Sequence, residues 1–79
     1  MYYVYIIQSK KDKSYYTGST KNLKRRLEEH NQGSVRFTLS KRPYALIWYS
    51  AFLSKEKALE FEKYLKVSSG FAFARKRLL

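Results

Sequence analysis

Apolar residues occupy both alternating faces of the first segment, Tyr2-Tyr3-Val4-Tyr5-Ile6-Ile7. Aromatic and β-branched side chains at that density predict a strand. Neither face is polar, so the strand should be covered on both sides. The run Ser9-Lys10-Lys11-Asp12-Lys13 predicts a turn, and Ser14-Tyr15-Tyr16-Thr17-Gly18 opens a second strand that completes a hairpin. With a loop over Ser9 to Asp12, Gln8 pairs with Lys13 and Tyr5 falls opposite Tyr16. Directly opposed residues point to one face, so the two phenols should share it.

The period then changes to that of a helix. Asn22 suits an N-cap, and Leu23 and Leu27 make a short apolar stripe behind it. Arg26 and His30 follow each leucine by one helical turn and so border the stripe. Gly33 should end the helix, and the polar, basic stretch from Ser34 to Arg42 reads as a surface loop. Residues 44–52, entered by Pro43, have the apolar density of a central strand. Ser54 should cap a second helix, with Leu53 and Ala58 spaced as a hydrophobic staple. At about 100° per residue, Ala58, Phe61 and Leu65 form its buried arc. Glu62 falls beside Ala58 on that side, whereas Glu60 projects away. Ser68-Ser69-Gly70 interrupts the pattern, and residues 71–79 read as a short basic helix. The order is β-β-α-β-α-α: an α+β domain, a small three-stranded antiparallel sheet flanked by helices.

Length allows one domain over residues 1–79 and no second. A core this small must be compact, and eight Tyr, five Phe and one Trp supply bulky side chains for it. Charge alters the picture most. Seventeen Lys and Arg face six acids, a formal net charge of +11, and such a field draws polyanions, nucleic acid first. No long basic amphipathic helix suits a membrane surface, and the apolar stretch from Pro43 to Leu53 is too short to span a bilayer. The sequence has no cysteine, which excludes a disulfide framework or thiolate metal site. With no signal-peptide pattern at the start, the expectation is a soluble, cytoplasmic protein.

Six residues could carry or shape chemistry, and most have a plainer reading. Tyr5 and Tyr16 are either cross-strand packing or phenols able to orient water, donate to a phosphate or act as a base. Gly18 is either a bulge or a place where another group approaches the strand closely. Arg26 either lays its stem over apolar surface or grips a phosphate bidentately. His30, the sole histidine, shares the face of Arg26. A carboxylate inside a helix's apolar arc needs a partner. For Glu62 that is either a nearby Lys or Arg, or a Mg²⁺ ion, which commonly takes only one or two carboxylates.

In this order the residues resemble the GIY-YIG nuclease family. Tyr3-Val4-Tyr5 looks like the first half of its name motif and Tyr16-Thr17-Gly18 like the second. Tyr3 and Val4 stand where the name has Gly and Ile, and Thr17 where it has Ile. The helix Asn22-Leu23-Lys24-Arg25-Arg26-Leu27-Glu28-Glu29-His30-Asn31 is similar to the family's first helix. The family's catalytic arginine falls on Arg26, its helical histidine on His30 and its metal-binding glutamate on Glu62. A C-terminal asparagine found in some members has no counterpart. The likeness spans nearly the whole chain, nearest to short single-domain members related to the nuclease domain of the bacterial excision-repair incision subunit.

The resemblance implies a Mg²⁺- or Mn²⁺-dependent endonuclease acting on nucleic acid, DNA before RNA, with a link to DNA repair. Glu62 would hold the metal, Tyr5 and His30 would handle the attacking water, and Arg26 and Tyr16 would steady charge on the phosphate. Lys10, Lys11, Lys13, Arg36, Lys41 and Arg42 would grip phosphates without reading sequence. Two alternatives stay open: a non-catalytic nucleic-acid-binding module, and an assembly protein whose charge meets an acidic partner.

Overall fold

Strand β1 (Tyr2–Ser9) runs through the middle of the sheet, antiparallel to β2 (Tyr15–Thr20) on one side and to β3 (Tyr44–Phe52) on the other. The computed structural model describes residues 1–79, Ser68 by its backbone alone. Helix α1 (Leu23–Gln32) and a 3₁₀ helix (Arg36–Lys41) lie between β2 and β3, and helices α2 (Lys55–Lys66) and α3 (Ser68–Arg77) follow.

The two apolar faces of β1 feed two separate cores. Val4 and Ile6 pack with Ala58 and Leu65 of α2 and Ala74 of α3, with Trp48, Phe52 and Phe61 around them. Tyr5 and Ile7 pack with Tyr44, Tyr16, Leu46, Leu23 and Leu27 on the α1 side. Both Ile6 and Ile7 are fully buried, so truncating either to alanine should cost about 2–5 kcal/mol. One strand thus supports helices on both sides, as its two apolar faces predict.

The caps of α1 are as the sequence predicts. The Asn22 side chain accepts from the Arg25 amide, and Gly33, at φ 86°, turns left-handed and donates to the last carbonyls. Asn31 then fastens α1 to β3: its amide donates to the Tyr44 carbonyl at 3.2 Å and accepts from the Tyr44 N–H at 2.7 Å.

Several expectations give way to the structure. Tyr5 lies opposite Gly18 rather than Tyr16, and Gln8 opposite Tyr15. The loop begins one residue later because Ser9 stays in the ladder, its N–H bonding the Ser14 carbonyl at 2.8 Å. Its hydroxyl accepts from the amides of Lys11 and Asp12, and Lys13 turns left-handed at φ 67°. The resulting slip is two residues, which preserves faces, so Tyr5 and Tyr16 still share one. Strand β3 is an edge strand, not a central one; its apolar run serves the two cores from beside β1. Leu53 is 91% exposed and staples nothing. Part of the segment expected to be loop forms the 3₁₀ helix, which buries Thr38. The break between the last two helices falls at Val67, in extended geometry, not at Ser68 to Gly70. A side chain at Gly70 would run into the Tyr64 carbonyl, so glycine lets α3 start tight against α2.

Candidate active site

Gly18 is the key to how Tyr5 is used. A Cβ at Gly18 would meet the Tyr5 hydroxyl and ring. The bare backbone of β2 therefore lets the phenol lie across the strand.

The phenol oxygen there meets Nε2 of His30 at 2.7 Å, and Nδ1 of His30 meets the Thr38 hydroxyl at 2.7 Å. With the Thr38 proton on the Val35 carbonyl, 3.3 Å away, Thr38 accepts from Nδ1–H. In that tautomer Nε2 is the acceptor, and the Tyr5 O–H donates to it. The chain of donors runs inward from Tyr5. His30 is fully buried and ringed by Tyr5, Tyr16 and Tyr44. Burial, and then the nearby Arg26 charge, lower its pKa to about 4, so it is neutral near pH 7. Burial dominates at Tyr5 too and raises its pKa to about 12, against the pull of the Arg26 guanidinium beside it. Tyr5 is therefore a neutral phenol with a neutral acceptor behind it.

Arg26 directs its hydrogen bond to Glu29, Nη1 to Oε1 at 3.0 Å. Arg25, on the solvent side, reaches the other oxygen at 3.4 Å. The Glu29 carboxyl is held below its usual range, chiefly by Arg26. Beside this clamp, a hollow of about 300 Å³ is lined by Ser19, Thr20, Lys21, Asn22, Arg25 and Arg26, among others.

Glu62 arrives from the other face of the sheet, on α2. Ser19, which pairs with Val4 and so faces α2, donates its hydroxyl to Oε1 at 2.6 Å. Lys66, one turn along, holds Oε2 at 2.7 Å. The Lys66 ammonium also lies 5.8 Å from the centre of the Tyr16 ring, so it links the carboxylate to the tyrosine. The two helices thus bring their charged groups to β2, one of the two edge strands, from opposite faces. Glu62 is not the partner of Arg26; that place is taken by Glu29. The plainer reading of Glu62, an ion pair with a nearby lysine, is present in the structure.

No group of three or more His, Cys, Asp or Glu suited to a metal occurs among the described residues. What exists is one carboxylate, 16% exposed, with a hydroxyl beside it. That donor set fits Mg²⁺ or Mn²⁺ bound through one carboxylate with water completing the shell. The Lys66 side chain is about half exposed, at 49%, and its flexible stem can swing aside to free Oε2.

The six outlying basic residues are all exposed and lie on the β1–β2 loop and the 3₁₀ segment. Lys11 donates to the Ser40 carbonyl, Lys41 pairs with Asp12 at 3.2 Å, and Arg42 donates to the Leu39 carbonyl. They form a basic cluster at the hairpin end of the sheet, whereas Ser19 and Thr20 lie toward the other end. Four residues at the site were not singled out from the sequence: Thr38, Glu29, Ser19 and Lys66. Glu29 and Lys66 had a signal in helical spacing from Arg26 and Glu62. Thr38 and Ser19 had none, because their partners come from elsewhere in the fold.

A tyrosine under a strand glycine, a helical arginine beside it and a glutamate from a later helix define a family. Residues 1–75 match the GIY-YIG catalytic domain, and the chain belongs to that family. Among curated relatives, a UPF0213 protein of Clostridium perfringens is 40% identical over 67 residues, covering 84% of this chain and 71% of its own. One from Staphylococcus haemolyticus is 39% identical over 69 residues, covering 86% and 83%. The solution NMR structure of a UPF0213 protein from Bacillus halodurans matches 99% of this chain and 87% of its own, with a TM-score of 0.60 and 34% identity. No helix among the described residues is long and apolar enough to cross a membrane.

Proposed function

We propose that the protein is a divalent-metal-dependent endonuclease that hydrolyses phosphodiester bonds in DNA. The observation that carries this is the donor chain from Tyr5 through His30 to Thr38, which starts beside Arg26. A phenol near pKa 12 is a poor base alone. It becomes useful when it takes a proton from water as its own proton passes to Nε2 of a neutral His30. Arg26 and Tyr16 would steady the charge that builds on the phosphate. A Mg²⁺ or Mn²⁺ ion held by Glu62 would supply the electrophile that neutralises the phosphate and the leaving oxygen. Lys10, Lys11, Lys13, Arg36, Lys41 and Arg42 would add grip on phosphates without reading sequence. A cytoplasmic role in DNA repair belongs to the same proposal.

A non-catalytic nucleic-acid-binding module is the second reading, favoured by one observation: both oxygens of Glu62 already have protein partners. Incubation with supercoiled plasmid and with single-stranded DNA in Mg²⁺, Mn²⁺ or EDTA separates the two. Nicking that requires metal and is lost in Glu62→Ala and Arg26→Ala supports the nuclease. Salt-sensitive binding with no nicking under any condition supports the module.

A further inference from the structure

On the α1 side of the sheet, a groove of about 330 Å³ is lined by Tyr3, Lys21, Asn22, Leu23, Lys24 and Tyr49. None of these is acidic. Tyr49 is 52% exposed and meets Tyr3 edge to face, centroids 6.2 Å apart at 61°. Neither ring belongs to the two buried cores. Lys21 and Lys24 are exposed, and among the described residues neither makes an ion pair.

The groove adjoins the site described above. Tyr49 is the β3 register partner of Tyr5, as Gly18 is its partner on β2, so one cross-strand row runs Gly18, Tyr5, Tyr49. Lys21 and Asn22 line both this groove and the hollow beside Arg26. A chain of phosphates held at Arg26 and crossing the Lys21-Asn22 turn would bring its next unit to Tyr49.

We propose that this groove is a nucleobase subsite, in which Tyr49 stacks on an unpaired base of single-stranded DNA next to the phosphate held at Arg26. Exposed aromatic rings with cations and no anions match a ligand that carries both flat rings and negative charge. Every base has a π-face, so stacking gives grip without sequence choice. A duplex keeps its bases stacked on one another and offers no free face to Tyr49. The groove therefore selects unpaired stretches: single strands, flaps or bubbles. This deepens the nuclease proposal by naming its substrate class, and it takes the direction of the strand from that proposal.

The test is binding in EDTA, without turnover, which separates it from the question of cleavage. A short single-stranded DNA carrying 2-aminopurine, and the duplex of the same sequence, are titrated with wild type, Tyr49→Ala and Tyr49→Phe. Wild type should quench the probe only in the single strand. Tyr49→Ala should weaken single-strand binding by roughly 5- to 100-fold, as expected for loss of one stacked base, and leave duplex binding unchanged. Tyr49→Phe, which keeps the ring, should bind like wild type. An unchanged affinity in Tyr49→Ala, or an equal loss on single strand and duplex, overturns the subsite. Tyr49-dependent single-strand binding by a protein that never cuts leaves the groove standing and removes the nuclease.

Discussion

The Tyr5 hydroxyl oxygen lies 2.7 Å from Nε2 of His30, and this bond sets which way a proton can move at the site. In the tautomer with Nδ1–H donating to Thr38, Nε2 has a free lone pair, and its partner is Tyr5. His30 is out of reach of solvent, so it could reach a substrate only through the phenol. The arrangement needs a neutral imidazole, which burial supplies.

That requirement makes stability depend on pH. The His30 pKa falls from 6.5 to about 4 on folding. Between those values the unfolded chain binds more protons than the folded one, so stability drops as pH falls through that window. Urea denaturation of wild type should give a lower midpoint at pH 4.5 than at pH 7. His30→Gln, which cannot titrate, should lose most of that difference. An equal pH dependence in the two proteins would mean that His30 is not buried in its neutral form.

Gly18→Ala should be costly for a reason unrelated to turns. The added methyl meets the Tyr5 ring and hydroxyl, and overpacking of this kind costs about 1–3 kcal/mol. A lower thermal midpoint with strand content retained by circular dichroism is the expected result. An unchanged midpoint would show that Tyr5 does not lie under the strand.

Lys66 should compete with the metal for Glu62. Its ammonium holds Oε2 at 2.7 Å, where a divalent ion would have to bind. Lys66→Met keeps the stem and removes the charge, so Mn²⁺ binding followed by electron paramagnetic resonance should tighten several-fold. Weaker binding would mean that the lysine supports the ion site instead of blocking it.

Local signals in the sequence proved the most legible. Asn22 and Gly33 mark the ends of α1, Ser54 caps α2 through the Lys57 amide, and the double apolar face of Tyr2 to Ile7 marks a strand covered on both sides. Glu62 is where the period of α2 places it, on the side of Ala58. The hairpin register was less legible because Ser9 bonds through its hydroxyl and Lys13 adopts a left-handed conformation, neither of which hydrophobic spacing records. The 3₁₀ helix was hidden by its polar, basic sequence, and Thr38 with it: its value lies in meeting His30, which only tertiary folding arranges. Leu53 has the spacing of a staple yet projects into solvent.

The most direct test of the nuclease account is the rate of plasmid nicking in Mn²⁺ by wild type and Tyr5→Phe. The variant keeps the ring beneath Gly18 and loses only the hydroxyl that bonds His30. Its rate should fall by about 10²–10⁴-fold, the usual range for a general base, while DNA binding in EDTA stays unchanged. Nicking by Tyr5→Phe at the wild-type rate would contradict the account.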